Sequence, residues 1–163
     1  MTKLVGSLTF AGTCVALMLT LSLGKGVAQQ PALGWQYGQL HIVKDCPKST
    51  YQGGAGQYCT VLSSDLAQIP PGSKIYYDQA AGVPTAAGTP YLDSNIFVYV
   101  GPDDWAVGRC TLNLVDYLGL CTLSDGKGPL AGITARVNVT YKSGGDGYQF
   151  AWDGTYSFQF VAP

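Results

Sequence analysis

The chain has 163 residues, a formal net charge of −1 at pH 7, and 12% charged residues against 47% hydrophobic ones. That length fits one domain with a single core, and the absence of any basic run argues against an electrostatic grip on nucleic acid or on anionic membranes. All 10 acidic residues are Asp and none is Glu; Glu favours helix surfaces and Asp favours turns, so the bias predicts a protein nearly without helices.

Residues 1–28 read as a secretory signal, with Lys3 at a positive start, a mostly apolar stretch from Leu4 to Leu23, and Gly26-Val27-Ala28 as a small-residue cleavage site before Gln29. The alternative is a membrane anchor, because the stretch approaches the roughly 20 residues that span a bilayer; Gly6, Ser7, Thr9, Gly12, Thr13, Thr20 and Ser22 dilute it. Cys14 falls inside this leader and reads as a small apolar residue. The expected product is secreted or periplasmic, without membrane attachment once the leader is removed. Residues 29–57 are expected to supply an amino-terminal arm, a first strand and a loop, and 58–163 a barrel that forms one domain with 39–57.

Residues 29–38 have no period and read as an arm. A short strand is predicted at Leu40–Val43, then a long loop from Lys44 to Gln57 with Asp45, Pro47, Gly53, Gly54 and Gly56. Tyr58–Leu66 reads as a strand with Cys59, Val61 and Ser63 on one face, stopped by Pro70-Pro71-Gly72. Lys74–Gln79 is the next strand, and Ala80–Pro90 a loop over a barrel mouth or edge. Ile96–Val100 is continuously apolar, which predicts a strand buried on both faces.

From Ala106 to Phe160 four strands follow with turns between them: Ala106–Leu114, Leu118–Ser124, Ile133–Lys142, and a last one in strict alternation. In that last strand Phe150, Trp152, Gly154, Tyr156, Phe158 and Phe160 share one face, and Gln149, Ala151, Asp153, Thr155, Ser157 and Gln159 share the other. A period of two with large rings on one side predicts an antiparallel strand whose aromatic face packs a core or lines a cavity. Gly154 inside such a strand marks a bulge or a close approach of backbone. Eight strands of this spacing suggest a small closed barrel or a sandwich.

Beyond the leader the chain holds Cys46, Cys59, Cys110 and Cys121. An even count in an exported chain suggests two disulfides, with three possible pairings. Cys110 and Cys121 are symmetric about a turn near Val115-Asp116, so a hairpin makes them cross-strand neighbours; Cys46 is left with Cys59 by elimination. Two free buried thiols are the alternative for the first pair. Neither spacing has the close Cys-x-x-Cys form of a zinc site, and no metal or other cofactor is expected.

Gly126-x-Gly128 precedes a strand rather than a helix, so it reads as a turn and not as a phosphate cradle. His41 is the lone His; with Ser63 or Ser64 and Asp65 it makes a hydrolase triad on paper, but no Gly-x-Ser-x-Gly elbow accompanies it. Asn138-Val139-Thr140 fits the glycosylation sequon, which matters only on a eukaryotic secretory route. Arg136 shares a face with Asn138, Thr140 and Lys142 and reads as solvent-facing. Arg109 shares a face with Val107, Thr111 and Asn113. Facing inward it needs a carboxylate partner, for which Asp153 and Asp78 are candidates; facing outward it makes a surface ion pair.

Three stretches carry a family likeness: Gly108-Arg109-Cys110-Thr111-Leu112-Asn113-Leu114, then Gly119 to Gly132, then Ala151-Trp152-Asp153-Gly154-Thr155-Tyr156. Over roughly Tyr58 to Phe160 the chain resembles the bacterial branch of the allene oxide cyclase and dirigent superfamily, in which a strand leads into a Gly-x-Gly turn and then another strand. The resemblance implies an all-β fold, an eight-stranded antiparallel closed barrel with an apolar, aromatic-lined interior, exported and often trimeric. It carries over the fold and not the activity; if the chain is an enzyme, cyclase-like or dirigent-type stereocontrol of a small apolar ligand held in the barrel, and not hydrolysis, is the expected kind. Cyclase-type members use a pocket Glu, which this chain lacks.

Read from the strand faces and residue types themselves, Arg109, Asp153 and Asp78 are the catalytic candidates, and Tyr76, Tyr99, Trp152 and Tyr156 the ligand-binding ones. Two functions stand side by side: a cavity protein that binds and steers a small apolar molecule, and a non-catalytic extracellular module with a filled barrel that binds a partner or self-associates as a dimer or trimer. A cavity of about 300 Å³ or more would favour the first.

Overall fold

A computed structural model of the chain describes residues 33–47, 58–79, 83–84, 90–142 and 148–161. The expected leader, the start of the arm, and most of the loops at 44–57, 80–90 and 143–147 lie outside the described residues.

The strands are β1 (Leu33–Cys46), β2 (Tyr58–Ser64), β3 (Lys74–Tyr77), β4 (Val83–Pro84), β5 (Pro90–Tyr99), β6 (Trp105–Asn113), β7 (Gly119–Gly126), β8 (Ile133–Tyr141) and β9 (Tyr148–Val161). Their order is β3-β2-β1-β9-β8-β7-β6-β5, and β5 pairs back with β3 to close an eight-stranded barrel; β4 adds two residues to the edge of β5. Every pairing is antiparallel. One short 3-10 turn, Gly128–Leu130, is the only helical element among the described residues.

Alternation decides which side chains fill the barrel. On β8, Ile133, Ala135, Val137 and Val139 are buried while Thr134, Arg136 and Asn138 are exposed. On β9, Phe150, Trp152 and Phe158 point in. The expected double burial of the Ile96–Val100 run is not observed: Ile96 and Val98 are buried, whereas Phe97 is exposed. A barrel wall has one dry side, so an apolar run in it still sends alternate residues to the outside.

Two further expectations are corrected. Residues 33–38, read as an arm, are strand: Leu33 opposes Val161, and the ladder runs unbroken to Cys46 opposite Tyr148. Leu33, Trp35 and Tyr37 are exposed there, so backbone pairing and not burial holds that end. Ser63 does not share the inward face of Cys59 and Val61. The register passes from Val43 opposite Ser63 to Lys44 opposite Val61, leaving Leu62 as the extra residue of a bulge that turns Ser63 outward.

Both expected disulfides form, Cys46 with Cys59 and Cys110 with Cys121, each joining neighbouring strands. All four Cys are buried inside the barrel, and two such bridges fit an oxidising compartment.

Gly154 is the close approach its place in a strand suggested. A Cβ there would overlap the Arg136 carbonyl oxygen on β8 and sit 2.7 Å from Val137 Cα. Backbone cannot swing aside as a flexible side chain would, so Gly154→Ala is expected to cost about 2 kcal/mol of stability. Chemical denaturation measures it, and an unchanged midpoint would show that β8 and β9 are not this tightly apposed.

Candidate functional site

Side chains occupy the barrel interior along most of its length. Trp152 is fully buried opposite Ile42 and Val139, and Leu40, Ile96 and Val137 are fully buried as well. Towards the end marked by both disulfides lies a cavity of about 40 Å³, lined among others by Lys44, Tyr77, Leu112 and Phe150. Ligand pockets measure about 300–1,000 Å³. The interior therefore has room for an occupant of a few atoms.

Lys44, placed in a loop by the sequence reading, is an inward residue of β1 with 2% exposure. Its Nζ donates to the Tyr77 hydroxyl and stands 4.4 Å from the Trp152 ring centre and 5.1 Å from that of Tyr77. Among the described residues no carboxylate lies within ion-pair distance of it. Burial pulls its ammonium from 10.5 down to about 7 and pushes the Tyr77 hydroxyl above its usual 10. The signal for Lys44 was its parity with Leu40, Ile42 and Cys46; ending the strand at Val43 hid it.

The three catalytic candidates lie outside the barrel and do not meet at one site. Arg109 points to solvent and grips Asp93 with two bonds of 2.8 and 2.7 Å, and that bond and charge strengthen its proton affinity further. Asp78, just past β3, accepts from the Asn95 backbone at 2.9 Å, the Asn95 amide at 2.8 Å and Ser94 Oγ at 2.9 Å. Desolvation alone would raise its carboxyl, but these bonds together outweigh it and hold the group below its usual value. Asp153, on β9, pairs with the His41 ring, and two strands, β8 and β7, separate it from Arg109 on β6. The His41 ring thus faces Asp153 and not Asp65, and Ser64 Oγ is engaged by the Leu66 backbone.

The ligand-binding candidates divide. Trp152 is core, Tyr156 is half-buried against Phe158, and Tyr76 and Tyr99 come together on the outer wall, their rings 5.4 Å apart and edge to face. Cross-strand register explains the meeting. Tyr58 opposes Tyr76 across β2–β3, Tyr76 opposes Phe97 and Lys74 opposes Tyr99 across β3–β5, so their outward side chains form one row. Tyr58 lies 5.2 Å from Tyr76, Phe97 stacks 6.3 Å from Tyr99, and Lys74 Nζ sits 4.6 Å over the Tyr58 ring.

Tyr76, Phe97, Tyr99 and Lys74 of this row line an open groove of about 880 Å³, together with the Pro70-Pro71-Gly72 turn, Gly101-Pro102 and Asp78. Tyr58 and Phe97, missed in the sequence reading, keep 39% and 37% of their surface exposed, and contiguous exposed rings of this kind mark interaction sites. Comparison with protein families, with curated proteins and with solved structures found no match to this chain. The fold and this site are a closed antiparallel barrel carrying an aromatic groove on its outer wall.

Proposed function

We propose that this protein is an exported, non-catalytic binding module whose working surface is the outer aromatic groove. The observation that carries the reading is the cluster of rings on the outer wall, Tyr76, Phe97 and Tyr99 packed together along an open groove of about 880 Å³, while the barrel interior offers about 40 Å³. The two disulfides and the amino-terminal leader pattern support work outside the cytoplasm.

An open trough floored by Tyr76, Phe97 and Tyr99, with Lys74 and Asp78 on hand as polar groups, suits a neutral ligand with flat apolar faces and hydroxyl edges. That is the chemistry of an oligosaccharide chain. Rings contribute large contact area at little entropic cost, and the few polar groups set orientation.

The test is calorimetric titration with soluble oligosaccharides of cellulose, chitin and xylan type. Binding to the native protein, weakened at least about tenfold by Tyr76→Ala, is the expected result, since central ring anchors are worth 2 kcal/mol or more. If none of these sugars binds, and the native protein sediments as a dimer or trimer that Tyr76→Ala dissociates, the groove is a subunit interface and the sugar reading fails.

The likeness to the allene oxide cyclase and dirigent superfamily favours a second reading, in which the barrel steers a small apolar molecule. Any such guest is limited to the few atoms the interior admits, and the polar groups that would meet it are Lys44 and Tyr77 rather than Arg109, Asp153 or Asp78.

A further inference from the structure

We propose that Lys44 is the nucleophilic amine of a small covalent site that captures short aldehydes as an imine at the disulfide-lined end of the barrel. The inference concerns the interior and does not depend on the reading of the outer groove, although Tyr77 borders both. An amine placed in a water-poor apolar cavity next to a proton donor has few structural uses, because an apolar side chain of the same length would pack there without the cost of burying a charge.

The placement supplies what imine formation needs. Lys44 Nζ is held by the Tyr77 hydroxyl above the face of Trp152, and it borders the cavity. The Leu62 bulge lies opposite, where β1 passes from Val43 to Lys44, and bulges commonly re-aim side chains at functional sites. Tyr77 from β3 is the one other titratable side chain lining the cavity among the described residues; β1–β2 and β6–β7 contribute the two disulfides, β6 and the turn after it add the uncharged Thr111, Leu112 and Leu114, and β5, β8 and β9 present Leu92, Val139 and Phe150. No neighbouring carboxylate among them holds the amine in its charged form, and burial brings it to about 7, so a large share is neutral at neutral pH.

In the reaction the nitrogen lone pair attacks the carbonyl carbon, the C=O π bond opens, and the oxygen takes up the proton that the now positive nitrogen releases, relayed by the Tyr77 hydroxyl, to give a neutral carbinolamine. The Tyr77 hydroxyl then protonates the departing hydroxyl and regains a proton from nitrogen. Water leaves as the C=N bond forms, so amine plus aldehyde gives imine plus water with no redox partner. A cavity of about 40 Å³ limits the guest to roughly three non-hydrogen atoms, given that one water needs about 10–15 Å³ on the same measure. Acetaldehyde is of that size, and benzaldehyde is not.

The native, disulfide-intact protein is incubated at pH 7 with acetaldehyde and cyanoborohydride, which reduces an imine to a stable ethylamine, and the labelled lysines are located by peptide mass spectrometry. Lys44 is expected to ethylate at least about tenfold faster than the exposed Lys127 and Lys142, because at pH 7 an ordinary lysine is almost wholly protonated. Its rate should reach half its plateau near pH 7. Benzaldehyde should label the exposed lysines and leave Lys44 untouched, and Tyr77→Phe should slow Lys44 without altering Lys127. Labelling of Lys127 and Lys142 with Lys44 unmodified, or equal rates at all three, overturns the proposal.

Discussion

Replacing Trp152 with alanine is expected to lower the unfolding free energy by about 4 kcal/mol, the usual cost of truncating a large ring inside a core. Trp152 is among the largest fully buried side chains. It stands opposite Ile42 on β1 and Val139 on β8, so its removal opens a void that two strands line. A closed ring of hydrogen-bonded strands cannot contract around such a void without breaking pairings, and relaxation should recover little. Trp152→Phe separates volume from chemistry. The buried Trp152 Nε1 has no hydrogen-bond partner among the described residues, so phenylalanine gives up packing volume but also relieves an unsatisfied donor, and a loss under about 1.5 kcal/mol is expected. Guanidinium denaturation of both variants checks the pair. A loss below about 1.5 kcal/mol for the alanine variant would mean that the barrel centre is not packed as described.

The second large effect is a rise in stability with pH that runs against the habit of most proteins. The folded-state value of Lys44, about 7, lies below the 10.5 of an ordinary lysine. Below pH 7 the amine is protonated in both states and the folded protein bears the whole cost of a buried cation. Between pH 7 and 10.5 the unfolded chain keeps a proton that the folded one has released, so stability climbs with pH, by up to about 1.4 kcal/mol per unit. Tyr77 has the opposite sign above 10, because its hydroxyl is raised from that value; the stability it protects is lost as the unfolded tyrosine ionises. The clean window is therefore pH 7 to 10, with a gain on the order of 4 kcal/mol.

The rings of Trp152 and Tyr77 oppose this by favouring the cation, but that attraction is worth about 2 kcal/mol when desolvated, while burying an ammonium costs several. Burial wins. Lys44→Met keeps the length and removes the charge, so it should flatten the pH slope and be more stable than the native protein at pH 7. Denaturation midpoints across the window decide it, and a flat native profile would show that water reaches Lys44.

Much of the wall is legible in the sequence. The alternation from Phe150 to Phe160 named the inward face of β9 correctly through Phe158, and the spacing of Cys110 and Cys121 about one turn named their bridge. Both rest on local periodicity, which sequence carries directly. The amino-terminal half of β1 was not legible, because its exposed Leu33, Trp35 and Tyr37 alternate with nothing buried, and its order comes from backbone bonds to β9. Ser63 was misplaced by a bulge of one residue, an irregularity with no side-chain signature.

The candidate site was legible only as residue types. Sequence by itself determined a helix-poor, disulfide-linked sheet protein with one dry face, since patterning and Cys count act along the chain. Which side of the wall Tyr76, Tyr99 and Arg109 occupy, and that Lys44 meets Tyr77 across 33 residues, was decided by barrel closure. Closure joins β3 to β5, and such register between distant strands is fixed by the ring of pairings as a whole and not by any segment within it.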